Sequence, residues 1–311
     1  MDRARTAALH ALLQVDENEG YSNLVLDKTI GKFSLSPRDA AFSSALFYGV
    51  LERRLTLDYA LGCFSNTPVE RLSPQVREIL RLGAYQLLFL DRVPDSAAVN
   101  ESVKLAKENR QKKAAGFVNG VLRALLRGRE NLSWPDDSIR YSCPAWLMEL
   151  WRDSYGAPAA EGLVRCLSET PPVCVRVNTV KTTAEELQAR LEQEGVQARP
   201  APGLPSALLL EKPGAVAALP SFQEGLFHVQ DLSSQLAAAV LEARPGQRVI
   251  DVCAAPGGKS FTLAEEMKNQ GRLLAFDKYR GKVRLIAQGA ARLGLSIVEA
   301  AVRDAAAPPQ A

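Results

Sequence analysis

Seven residues in the last third of the chain have the types and spacing of a ligand loop. Cys253-Ala254-Ala255-Pro256-Gly257-Gly258-Lys259 follows the apolar run QRVIDVC and leads into the helical pattern KSFTLAEEMKN. Small residues in such a loop let a ligand approach backbone N–H groups at a helix start. Two acids extend the constellation: Asp277 closes RLLAFD, 19 positions past Gly258, and Asp304 closes SIVEAAVRD. An acid at the end of a second strand suits a ribose diol. Three ligand classes ask for a set of this kind. Gly258-Lys259-Ser260 imitates the end of a nucleotide-triphosphate loop, but that motif needs a glycine five positions earlier, where Cys253 stands. A dinucleotide fingerprint needs GxGxxG, which is absent. S-adenosylmethionine has a ribose diol and no phosphate, and it needs a short close-approach loop with an acid on the second strand.

The elements around these residues must hold them at one edge of a sheet. QRVIDVC reads as a buried strand, RLLAFD as a second and SIVEAAVRD as a third, with helices KSFTLAEEMKN and KYRGKVRLIAQGAARLG between them. Strands alternating with helices of this length specify a parallel, doubly wound sheet whose ligands lie beyond the C-terminal strand ends. Upstream, HVQDLSSQLAAAVLEA reads as a helix. Residues 173–220 read as a small α/β module: VCVRVN alternates like a strand, and VQARP and ALLLEK are short strands. Thr183 and Glu186 stand at capping-box spacing before Leu187 and Leu191.

The first 130 residues carry helical periodicity throughout. Ser36-Pro37 and Ser73-Pro74 each place serine at an N-cap and proline at the first helical position. Phe42, Leu46 and Val50 form one stripe, Val76, Ile79, Leu80, Leu87 and Leu90 another, and Val118, Val121, Leu122, Leu125 and Leu126 a third. Between them and the α/β module lies a connector. Its Trp134, Trp146 and Trp151 are expected to pack on the neighbouring domain rather than stack on bases.

Size and composition exclude several classes. A chain of 311 residues, 47% hydrophobic and 23% charged, buries a core without disulfides or metal. Its five cysteines form no CxxC pair and its two histidines are too few for a histidine-rich metal site. Cys63, Cys143, Cys166 and Cys174 read as packing residues. No apolar run reaches the roughly 20 residues of a membrane span. The N-terminal Leu9, Leu12 and Leu13 have helix spacing, with no signal-peptide cleavage site after them. A cytoplasmic monomer with no membrane contact is expected. Net charge is +3, divided as 19 Lys+Arg against 15 Asp+Glu in residues 1–130 and 19 against 20 in the rest. Lys112, Lys113, Arg123 and Arg127 belong to a late basic cluster that reads either as a solvated helix face or as a phosphate-binding surface.

DVCAAPGGKS is similar to the cofactor loop of the RNA 5-methylcytosine methyltransferases, and HVQDLSSQLAA resembles their segment leading into the catalytic domain. NLVLDK, SPRDAAFSSALFYGVLERR and ILRLGAYQLLFLDRVPDSAAVNESVKLAK resemble the NusB-like domain of the Sun/Fmu branch, which methylates 16S ribosomal RNA. The resemblance implies a fold of α plus α/β domains. A helical NusB-like RNA-binding domain spans 1–130, a linker and small α/β module 131–225, and an incomplete class I (Rossmann-like) methyltransferase domain 226–311. It implies S-adenosyl-L-methionine as cofactor, held by Cys253, Ala254, Ala255, Pro256, Gly257, Gly258 and Lys259, with Asp277 on the ribose hydroxyls and Asp304 near the adenine. It implies 16S rRNA as partner. The family's catalytic cysteines lie in a Pro-Cys-Ser-Gly motif and a Thr-Cys motif beyond the third strand. Neither string occurs here, and AAAPPQA follows Asp304. The chain is therefore read as cut off inside its catalytic domain, with no catalytic residue and no activity of its own. Its first strand would be an exposed pairing edge. Cys253 is read as a cofactor contact, not a nucleophile. The alternative is a non-catalytic RNA-binding module with a vestigial methyltransferase fold.

Overall fold

The computed structural model describes residues 2–18, 22–167, 169 and 171–307. The chain divides into two compact units, Met1–Thr170 and Pro171–Ala311. The first is helical. It runs through α1 (Arg3–Asn18), α2 (Ser22–Phe33), α3 (Pro37–Glu52), α4 (Arg54–Phe64), α5 (Pro74–Phe89), α6 (Asp95–Glu108) and α7 (Ala115–Gly128). The expected stripes meet in its core: Leu46, Phe47 and Val50 pack with Ile79, Leu80, Val118, Leu122 and Leu125, all buried. Ser36 caps α3 as its spacing predicts, accepting the Asp39 N–H at 3.2 Å. Ser73 occupies the same position before α5 but its hydroxyl caps nothing, so Pro74 alone marks that start.

The connector is more ordered than its polar composition suggests. It forms α8 (Asp137–Tyr141), α9 (Ala145–Tyr155) and α10 (Ala157–Cys166). Thr56 donates to the Ile139 carbonyl at 2.6 Å, and the Leu55 N–H donates to Ser142 at 3.0 Å, which docks α8 on α4. Trp134 packs on the helical core with its ring 5.9 Å from Tyr59. Trp146 does not pack as expected. It is 65% exposed, because α9 turns that face to solvent. Cys143 is buried, whereas Cys63 and Cys166 are exposed and are not packing residues.

The second unit holds two sheets. The first is antiparallel, in the order β2 (Gln197–Ala201), β3 (Leu204–Glu211), β1 (Val173–Val177) and β4 (Phe227–Val229). Between β1 and β2 lies α11 (Ala184–Gln193), and α12 (Pro220–Gln223) precedes β4. The capping box forms in both directions: Thr183 accepts the Glu186 N–H at 3.2 Å, and Glu186 accepts the Thr183 N–H at 3.1 Å. Leu187 and Leu191 thereby pack on Val175, Val177, Leu208, Leu210 and Phe227.

His228 and Val229 overturn one expectation. They lie in β4, antiparallel to β1, and the helix α13 (Leu232–Ala239) starts only after the Asp231 cap. Pairing with β1 claims these residues before local helix periodicity can.

The second sheet is parallel, in the order β5 (Arg248–Asp251), β6 (Arg272–Asp277) and β7 (Val298–Val302). Two helices, α14 (Gly258–Glu266) and α15 (Arg280–Leu293), make the crossovers. Ala264, Met267, Ile286 and Leu293 bury Leu273 and Ala275 of the central strand. The run QRVIDVC reads both as a buried strand and as a pairing edge, and the structure makes β5 an edge. It pairs only with β6 among the described residues, and Ile250 and Val252 are 59% and 50% exposed.

Polar bonds, the innermost of them buried, join the two sheets. Arg176 of β1, 4% exposed, donates to Glu265 at 2.6 Å and to Glu266 at 2.7 Å, both at the end of α14. Asn178 donates to the Gly225 and Leu293 carbonyls, each at 2.8 Å. Lys181 donates to the Glu224 and Arg292 carbonyls. Burial and the neighbouring Arg292 hold the Lys181 ammonium below its ordinary pKa. No helix among the described residues is long and apolar enough to cross a membrane.

Candidate functional site

The loop after β5 folds back against β6, since the Ala254 N–H donates to the Phe276 carbonyl at 2.8 Å. Its Ala255–Pro256 peptide is cis. Gly257 has φ +117, a conformation side chains rarely adopt, and a Cβ there would stand 2.2 Å from the Phe261 ring. The sequence thus needs glycine where the loop turns into α14. That helix directs its first-turn N–H groups toward the loop, a favourable setting for a negatively charged group.

A cleft of about 240 Å³ opens beside this loop. It is lined by Cys253, Ala254, Ala255, Pro256, Gly258 and Lys259 of the loop together with Gln230, Asp231, Ser234 and Asp251. Asp251 accepts the Ser260 hydroxyl at 2.7 Å and the Cys253 N–H at 3.2 Å. Asp231 accepts both the hydroxyl and the N–H of Ser233, and these bonds hold its carboxyl below the usual range. The cleft therefore sets two carboxylates and one ammonium around a small opening. That is a surface for a zwitterion rather than for a polyanion.

The two strand-end acids lie outside this lining. Asp277 ends β6 and accepts the Tyr279 N–H at 2.9 Å. Asp304 stands two residues beyond β7, accepts the Ala306 N–H at 3.0 Å and pairs with Lys278 at 3.4 Å. Those bonds, the backbone one first, lower its pKa. Loop, Asp277 and Asp304 thus mark successive strand ends of one sheet.

Sequence reasoning missed Asp251, Gln230, Asp231 and Ser234. Asp251 ends the first strand as Asp277 ends the second, and this parallel was a readable signal. Asp231 heads DLSSQLAA, a capping pattern whose position announces a helix start. Nothing local in the sequence places that cap against the loop.

In the helical unit, Lys112 and Lys113 form a short 3-10 turn before α7, and Arg123 and Arg127 lie one turn apart on α7. All four are exposed. Arg123 donates to Asn119 at 3.0 Å. Other cations of the cluster are neutralised: Lys104 pairs with Glu101 at 2.6 Å and Arg129 with Asp95 at 2.8 Å.

Comparison with known proteins matches the chain in three stretches. The NusB family model matches residues 2–127. The Methyltr_RsmF/B-like, ferredoxin-like domain matches 143–217, and 16S rRNA methyltransferase RsmB/F matches 238–311. A probable ribosomal RNA small subunit methyltransferase B of Bacillus subtilis is 39% identical over 307 residues, covering 97% of this chain and 68% of that protein. Its counterpart from Synechocystis is 37% identical, covering 96% and 69%. The ribosomal RNA small subunit methyltransferase B of Vibrio cholerae is 33% identical, covering 94% and 67%. The crystal structure of PH0851 has the same fold, with a TM-score of 0.74 at 24% identity, covering 98% of this chain and 70% of that one.

Proposed function

The chain belongs to the ribosomal RNA small subunit methyltransferase B family, and from that premise we propose that it binds S-adenosylmethionine beyond β5 for methylation of a cytosine carbon 5 in 16S rRNA. The observation that carries this reading is the cleft itself: a glycine-turned loop at the C-terminal edge of a parallel sheet, faced by charges of both signs. The cofactor fits on two counts. The loop lines the cleft with the small Ala254 and Ala255 beside Gly258, and the buried Gln230 amide keeps one end without a partner. Residues 253–259 would surround the cofactor, Asp277 would take its ribose hydroxyls and Asp304 would lie near its adenine. When bound, it supplies an electrophilic methyl group.

The chain's own residues then have distinct tasks. The loop and Asp251 would line one side of the cofactor. The helical segment 1–130 holds the RNA through Lys112, Lys113, Arg123 and Arg127, which are exposed and carry no ion pair among the described residues. Carbon 5 of cytosine becomes nucleophilic once a thiolate adds to carbon 6. Cys253 is a turn residue, its N–H held by Asp251, and we assign it to the cofactor wall. By themselves these 311 residues then transfer no methyl to carbon 5.

Three outcomes are expected. Asp277→Ala should weaken cofactor binding by about 1.5–3 kcal/mol, the worth of hydrogen bonds to a charged group; calorimetry giving equal affinities removes Asp277 from the site. Alanine at Lys112, Lys113, Arg123 and Arg127 together should flatten the salt dependence of 16S rRNA binding by up to roughly three units of log–log slope; an unchanged slope refutes the RNA surface. With labelled cofactor and unmodified 16S rRNA, the 311-residue chain should leave carbon 5 unlabelled. Stable label there would show that the family's two cysteine motifs are not needed and would bring Cys253 back into consideration as nucleophile.

A further inference from the structure

The start of α15 carries positive charge that no acid of the second unit answers among the described residues. From Lys278 to Val298 the chain has five cations and no acid. Two of the five are committed: Lys278 pairs with Asp304 at 3.4 Å, and Arg292 donates to the Phe222 and Phe227 carbonyls. The side chains of Arg280, Lys282 and Arg284 are exposed and form no hydrogen bond or ion pair among the described residues. They do not serve the helix. A helix start disfavours cations, no acid stands in the first turn of α15, and Arg280 and Arg284 repel each other across one turn. Elsewhere in the unit, Arg190, Arg199, Arg244 and Arg272 are each matched by a carboxylate.

An aromatic ring stands among these cations. Tyr279, 59% exposed, makes the turn between β6 and α15, and Lys282 Nζ lies 5.3 Å from its ring centre. Single-stranded nucleic acid is held by this combination, its bases stacking on the ring and its phosphates meeting the charges. An acidic protein would satisfy the cations and leave the exposed ring unexplained. The position also fits. α15 begins where β6 ends, at the strand end that holds Asp277. A Cβ on Gly289 would stand 2.5 Å from the Phe261 ring, and one on Gly257 would stand 2.2 Å from it, so one ring fixes α15 beside the loop turn. Arg284 precedes Gly289 by five residues, about 7.5 Å along the helix. A strand of RNA on this surface therefore passes the sheet edge where the cofactor would sit.

We infer that Tyr279, Arg280, Lys282 and Arg284 form a second rRNA contact, carried by the methyltransferase sheet itself and separate from the basic cluster of the helical unit. It holds single-stranded rRNA by one stacked base and the phosphates beside it. The inference rests on the rRNA reading above.

The test is fluorescence anisotropy of a labelled 16S rRNA fragment with the full 311-residue chain across a salt series. Arg280→Ala, Lys282→Ala and Arg284→Ala together should flatten the log–log salt slope by roughly two units, at about 0.7 for each single-strand phosphate contact. Arg280→Lys with Arg284→Lys keeps the charge and should keep the slope. Tyr279→Ala should weaken binding about fivefold or more at every salt concentration without changing the slope, and Tyr279→Phe should bind as the unsubstituted chain does. The triple alanine variant should melt at or above the temperature of the unsubstituted chain, since it removes charge that the helix start disfavours. An unchanged slope in that variant, a slope loss accompanied by a lower melting temperature, or full binding by Tyr279→Ala overturns the inference and leaves the rRNA reading in place. An unsubstituted chain that does not bind the fragment overturns the rRNA reading and this inference with it.

Discussion

The buried ion pair of Arg176 with Glu265 and Glu266 is the constraint on which the second unit depends. Arg176 stands on β1 opposite His228 on β4, and both side chains meet Glu265 on α14. Taking three such groups out of water costs more than a lone pair repays. The arrangement is tolerable because Arg176 is bonded at both Nε and Nη2. Its consequence is positional. The helix that ends at Glu266 begins at Gly258, so fixing its last turn to the antiparallel sheet fixes where its first turn and the loop before it lie. Phe261 and Thr262 carry the same constraint forward: the first packs 5.7 Å from the His228 ring, and the second bonds Gln230. The ferredoxin-like module and the methyltransferase sheet share one polar seam, and the cleft opens at its end.

A second seam fixes α15. Asn178 and Lys181 donate to carbonyls at its C-terminal end, where the helix leaves acceptors unsatisfied and favours a positive charge. The Arg292 guanidinium stacks 3.8 Å from the Phe222 ring and donates to the Phe222 and Phe227 carbonyls. Burial lowers its pKa from the ordinary arginine value. Both crossover helices are thus tied to the antiparallel sheet by cations or amides that bond backbone or carboxylate. The parallel strands they cover are positioned as a result. Asp277 and the loop keep their spacing through this frame and the Ala254–Phe276 bond.

What could be read from the sequence was what local chemistry decides. The three parallel strands, the capping box at Thr183, the Ser36 cap and the glycine turn of the loop follow from residue types at short range. The rest depended on partners far along the chain. His228 and Val229 form a strand because β1 lies beside them, and periodicity alone favours the helix that follows. Ile250 and Val252 have the residue types of a core, and their exposure follows from the edge position that the family resemblance, not the local pattern, implies. Residue type alone sends Trp146, Cys63 and Cys166 to packing, whereas helix orientation leaves them exposed. Gln230 lies within the quoted HVQDLSSQLAA segment, but its closeness to Thr262, His228 and Gly258 arises only in space.

The most direct measurement is hydrogen exchange on the full chain with Arg176→Ala. Removing one partner of a buried ion pair costs about 3–5 kcal/mol of local stability. Exchange in β1, in α14 and in the loop 253–259 should therefore accelerate together, while α5 and α7 of the helical unit keep their protection. Faster exchange confined to β1, with α14 and the loop unchanged, would contradict the claim that this ion pair positions the cleft.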